Sequence, residues 1–79
     1  MTVQNDSIIG VAGSNNTATD NGGGIYNDFG STTTVYTSTI LTNTATFGGG
    51  IYNTYGGLST VDGSFISDNQ ALNGGGICN

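Results

Sequence analysis

Gly22-Gly23-Gly24 leads into Ile25-Tyr26-Asn27, and the same block returns as Gly48-Gly49-Gly50-Ile51-Tyr52-Asn53 and as Gly74-Gly75-Gly76-Ile77-Cys78-Asn79. A self-similarity of this length marks a unit that cannot bury its apolar residues until a neighbouring unit stacks on it. Placing the glycine blocks in register aligns more of the chain. Val35-Tyr36-Thr37-Ser38-Thr39-Ile40 answers Val61-Asp62-Gly63-Ser64-Phe65-Ile66 as V-x-x-S-x-I, and Asn43-Thr44-Ala45 answers Asn69-Gln70-Ala71. In the first unit Asn16-Thr17-Ala18 and Ser7-Ile8-Ile9 fit the same places. There Val11-Ala12-Gly13-Ser14 reads as an insertion at an outward turn, and Asp20 as one extra residue before the glycines. The units run over 1–27, 28–53 and 54–79.

Composition decides between helical and β repeats. The chain has no Glu, Lys, Arg or Pro and is rich in Gly, Thr, Asn and Ser. That mix joins β-branched strand formers to residues that tolerate turns and left-handed backbone. Three short strands per unit are predicted, around the glycine block, around V-x-x-S and around S-x-I. Successive units at a fixed period pair in parallel, and parallel crossovers are right-handed. The expected fold is therefore all-β, a right-handed parallel β-helix (β-solenoid) of three coils in one module spanning 1–79.

Matching phases then assign the interior. Ile25, Ile51 and Ile77 form one expected stack, Val35 and Val61 a second, and Ile40 and Ile66 a third, with Ala18, Ala45 and Ala71 at a narrow corner. Each buried aliphatic contributes about 1.5–3 kcal/mol. Asn27, Asn53 and Asn79, and likewise Asn16, Asn43 and Asn69, are candidate ladders in which each carboxamide bonds its counterpart one coil away; the alternative is that they only supply turn conformations. The triplets Gly22 to Gly24, Gly48 to Gly50 and Gly74 to Gly76 are read as tight corners, since a phosphate cradle requires a helix N-terminus and usually a Lys. Tyr26 and Tyr52 follow inward positions and so point outward, with Phe29 and Tyr55 in register. Such an aromatic stripe either stacks along the coils or serves lateral bundling or sugar contact. Cys78 takes the tyrosine position of the third unit, as a structural thiol or a site of lateral disulfide formation.

Charge bounds the partners. Asp6, Asp20, Asp28, Asp62 and Asp68 are the only charged side chains. Without a basic residue there is no electrostatic footprint for nucleic acid or an anionic membrane, and no stretch approaches membrane-spanning length. The aspartates lack the spacing of glycine-rich calcium-binding nonapeptides. No cofactor is implied, although the oxygen-rich corners are compatible with calcium. Polysaccharide hydrolysis requires an acid and a base carboxylate, and the only close acidic pair, Asp62 and Asp68, fits turn or surface roles; the chain is read as non-enzymatic. An ice-binding threonine file is broken in the third unit, where Leu58-Ser59-Thr60 and Gly63-Ser64-Phe65 replace threonine-rich segments.

The G-G-G-I block and the I-x-x-N elements, Ile40 to Asn43 and Ile66 to Asn69, resemble the GG[AG][ILV] and F-x-x-N motifs of chlamydial polymorphic outer-membrane protein repeats, with Ile where that family usually has Phe. The likeness implies an elongated, often adhesive bacterial passenger, extracellular or at the cell surface. No capping element is visible at either end of the expected stack, and the repeat phase survives within one residue if a second copy follows Asn79. The expected role is a structural subunit that stacks head to tail on identical chains into a filament or surface fibre. The alternative is a segment of a larger β-helical adhesin that binds host or polysaccharide ligands.

Overall fold

The computed structural model describes residues 2–4, 8–10 and 16–79. Asp6, Ser7 and the Val11–Ser14 insertion fall outside them. Among the described residues the chain is all-β, with no helix. Its strands are β1 (Thr2–Val3), β2 (Ile8–Ile9), β3 (Ile25–Asn27), β4 (Thr32–Tyr36), β5 (Thr39–Leu41), β6 (Ile51–Asn53), β7 (Leu58–Asp62), β8 (Phe65–Ser67) and β9 (Ile77–Cys78). They make three small parallel sheets, ordered β1-β4-β7, β2-β5-β8 and β3-β6-β9. The chain thus visits the three sheets in one order, three times over. The molecule is a slab of 32 × 28 × 13 Å. Its short dimension suits three strand layers at about 4.8 Å spacing.

Register is 26 residues between the second and third layers, with Val35 opposite Val61, Ile40 opposite Ile66 and Ile51 opposite Ile77. Below the second layer the offset is larger as far as the Thr17–Thr44 pair and returns to 26 at Asn21–Phe47, because the first layer carries extra residues. Thr2 pairs with Thr34, Ile8 with Thr39, Thr17 with Thr44 and Asn21 with Phe47. Most of the excess lies between Ile9 and Thr17. A further residue enters just before the glycines, and the hydrogen bonds place it at Thr19 instead of Asp20. The Asp20 carbonyl accepts the N–H groups of Thr46 and Phe47, as the Thr46 carbonyl accepts those of Leu72 and Asn73. Asp20 therefore stands in the repeat, and Thr19 is the addition.

Strand limits differ from the sequence expectation for a conformational reason. V-x-x-S holds a corner: β4 and β7 end at Tyr36 and Asp62, and the next residues, Thr37 and Gly63, have φ of 41° and 58°. The next corner uses Thr42 and Asp68, at 54° and 55°. Left-handed backbone at a side-chain-bearing residue costs about 1–2 kcal/mol, so the bonds on either side must hold these corners in place. The glycines form a corner as well, and strand begins only at the isoleucine.

The core is the middle of the stack. Val35, Ile40 and Ile51 are fully buried, Ile25 and Ala45 nearly so, and Val3, Ile9, Val61 and Ile66 pack against them half-buried. Val3 and Ile9 extend the valine and isoleucine stacks into the first layer through β1 and β2. Along a single ladder, exposure is 3% at Ile25, 0% at Ile51 and 44% at Ile77. The last layer is covered on one side only.

Candidate functional site

Two asparagine arrays tie the layers where the strands break. Asn43 is fully buried. Its Nδ2 donates to the Ile9 carbonyl (3.1 Å) and to Asn69 Oδ1 (3.1 Å), and its Oδ1 accepts from Asn16 Nδ2 (3.0 Å) and the Asn16 backbone N–H (3.3 Å). Its own N–H donates to Asn69 Oδ1 (2.9 Å), and Asn69 Nδ2 reaches the Ile40 carbonyl (2.9 Å). Each carboxamide thus replaces ladder bonds that the backbone cannot make beside the left-handed Thr42 and Asp68, which leaves the buried groups paired.

The second array joins Asn27 Nδ2 to Asn53 Oδ1 at 2.9 Å, with further bonds to the carbonyls of Leu58 and Ser31. Asn79 occupies the same place in the third layer but is exposed, and no bond links its side chain to Asn53. The structure adds partners that the repeat pattern did not single out. Thr33 Oγ1 donates to Asn27 Oδ1 (3.0 Å) and Ser59 Oγ to Asn53 Oδ1 (2.6 Å). A hydroxyl six residues after each asparagine was the available signal. Ser38 and Ser64 link the next corner, the Ser38 N–H donating to Ser64 Oγ at 2.9 Å.

The glycine corners follow from contact distances. Gly22, Gly48 and Gly74 have φ of 67°, 64° and 63°. Gly49 needs no left-handed backbone, but a Cβ there would lie 2.5 Å from the Gln70 carbonyl oxygen and 2.6 Å from that of Gly75. The triplet therefore lets backbone lie against backbone across layers.

Outward residues assemble an aromatic surface. The Tyr26 and Tyr52 rings are 5.5 Å apart, Phe47 lies 6.4 Å from Tyr52, and Phe29 lies 6.5 Å from Tyr55. Cys78 continues the tyrosine register above Tyr52 as a half-buried free thiol. The two pairs Tyr26–Tyr52 and Phe29–Tyr55 line an open groove of about 640 Å³, together with polar residues that include Asp28 and Thr54. Partial burial, then the charges of Asp28, ionised Tyr52 and Asp20, push the Tyr26 phenol above its ordinary pKa of 10.0. Folding thus favours the neutral phenol. The fold is therefore unaffected by this group below the ordinary phenol range and is destabilised only as pH rises from that range towards the raised value. In an alkaline titration followed by phenolate absorbance, the Tyr26 phenol should ionise above the ordinary range, and Tyr26→Phe should remove that component. Its persistence in the variant would contradict the assignment.

The candidate acid pair sits at exposed corners. Asp62 ends β7, and Asp68 accepts a 3.0 Å bond from Ser67 Oγ at a left-handed position. No three His, Cys, Asp or Glu side chains cluster among the described residues. On the outer face of the first sheet Thr34 stands between Thr2 and Thr60, but its neighbours pair Thr32 with Leu58 and Tyr36 with Asp62.

Residues 14–28, which include the first glycine triplet and Ile25, match the Chlamydia polymorphic membrane protein (Chlamydia_PMP) repeat. No significant match was found among curated proteins or solved structures. The repeat match points to a bacterial outer-membrane or surface protein as the kind of molecule to which such a segment is similar.

Proposed function

We propose that the three sheets are the faces of a right-handed β-solenoid of three coils, and that the chain is a non-enzymatic structural subunit at a bacterial surface. Identical copies stack head to tail into a filament. The observation that carries this reading is the rise of exposure within one ladder, from 0% at Ile51 to 44% at Ile77. Strands β7, β8 and β9 each have one strand neighbour. Their free edge offers unpaired N–H and C=O groups above an incompletely covered apolar interior, the surface on which another coil adds. Such a contact is heterologous and does not close, so it propagates.

Electron microscopy of the purified chain should show elongated particles whose length grows with concentration. Ile77→Lys, which sets a charge on the open face, should shorten them while far-UV circular dichroism keeps its β signal. A monodisperse, unstacked wild-type species would overturn the filament. The match to a polymorphic membrane protein repeat favours a second reading, in which the next coil belongs to the same, longer surface adhesin. The intact mass of the native polypeptide separates the two.

A further inference from the structure

The aromatic groove carries an inference beyond stacking. Its rings belong to successive layers and face sideways, and Asn53 and Asn79 also line it. Phe29 and Tyr55 are 74% and 86% exposed at the tips of equivalent turns, and nothing in the packing of the fold requires aromatic rings there. The turns themselves are well fixed. Ser31 N–H donates to the Asp28 carbonyl (2.9 Å), Gly57 N–H to that of Thr54 (2.8 Å), Thr54 N–H to that of Asn27 (2.9 Å) and Gly30 N–H to that of Tyr55 (3.3 Å). A site held this way loses little entropy when a ligand binds.

Its polar groups are equally informative. The Phe29 N–H holds Asp28 Oδ1 at 2.7 Å, which fixes the carboxylate and leaves its second oxygen for an incoming donor. Thr54 Oγ1 is a buried side-chain oxygen with no hydrogen-bond partner, on a residue that lines the groove. A few placed polar groups among aromatic rings define a small-ligand site. A ligand with flat C–H faces and a rim of hydroxyl donors matches both sets, and that description is a sugar ring. The chain has no Lys, Arg or His to pair with an acidic sugar, and Asp28 repels one.

We propose that this groove binds a neutral glycan segment, its rings against the Tyr26–Tyr52 and Phe29–Tyr55 pairs and a hydroxyl donated to Asp28. Titration calorimetry tests this with neutral oligosaccharides of glucose, mannose, galactose and N-acetylglucosamine, beside an oligogalacturonate of equal length. At least one neutral glycan should bind and the oligogalacturonate should not. Tyr55→Ala and Phe29→Ala should each weaken binding about tenfold. Both rings are exposed, so the variants keep the fold, which their circular dichroism checks. Tyr36→Ala, an exposed tyrosine outside the groove, should bind as wild type. Absence of binding to every neutral glycan, equal binding of oligogalacturonate, or an equal loss in Tyr36→Ala would overturn the proposal. Filament assays are unaffected by these outcomes, so the two readings fail separately.

Discussion

Gly49→Ala is expected to abolish the fold, although it adds one methyl group. The new Cβ would lie 2.5 Å from the Gln70 oxygen, 2.6 Å from the Gly75 oxygen and 2.8 Å from the Gln70 nitrogen, all backbone of the next layer. None of these atoms can swing aside as a side-chain terminus would. They are fixed by the bonds that build the stack: Ala45 N–H to the Gln70 carbonyl (3.0 Å), Gly49 N–H to that of Gly74 (3.1 Å) and Gly50 N–H to that of Gly75 (2.9 Å). Relief requires the layers to part, which breaks several bonds together. Overpacking in a core commonly costs about 1–3 kcal/mol, and a clash confined to backbone should exceed that range. Total stability for a chain of this size is about 4–12 kcal/mol. Gly30→Ala is the informative contrast. Its φ is 70°, but nothing lies within 4 Å of its Cβ site, so only the left-handed penalty of about 1–2 kcal/mol applies. Urea unfolding should show a folded Gly30→Ala and no cooperative transition for Gly49→Ala. Equal stability of the two would refute the close backbone approach.

Asn43→Leu should cost about 3 kcal/mol or more. Leucine is similar in size and apolar, so burial alone would tolerate it. The loss lies in the partners left behind: the Ile9 carbonyl loses its Nδ2 donor, Asn69 Oδ1 loses one of two donors, and both Asn16 groups lose their acceptor. A buried group stripped of its partner costs about 1–3 kcal/mol; here the half-buried Ile9 carbonyl and Asn69 each lose a donor, and the two bonds from exposed Asn16 add less. Asn16→Ala removes only the exposed Nδ2 donor and keeps the Asn16 backbone N–H on Asn43 Oδ1, so it should cost about 1 kcal/mol or less. Denaturant midpoints of the two variants measure the difference. If Asn43→Leu proves as mild as Asn16→Ala, the asparagines serve turn conformation and not the ladder.

How much of this was legible in the sequence depends on what repeats. Ile25, Ile51 and Ile77 stand in register because side chain and spacing recur together, and the same holds for Tyr26 with Tyr52 and Phe29 with Tyr55. Val3 was hidden, since the first layer's extra residues push its partner to Val35, beyond the repeat period. The strand around V-x-x-S was displaced because Thr37, a β-branched residue with strand propensity, adopts the left-handed conformation that Gly63 supplies one layer on. Glycine spacing drew the extra residue to Asp20, whereas carbonyl pairing assigns it to Thr19. Thr33 and Ser59 recur only as hydroxyls, so identity matching passed over them. The groove requires the turn after each strand to bring its tip beside the tyrosine face, which is a property of backbone geometry that residue periodicity does not encode.

The parallel stack is the claim on which the rest depends, and nuclear Overhauser contacts in the isotope-labelled chain test it most directly. Backbone contacts should link Ile25 with Ile51, Val35 with Val61 and Ile40 with Ile66, and should advance in step along both strands of each pair. Contacts that advance along one strand while receding along the other would mean antiparallel hairpins and would contradict the account.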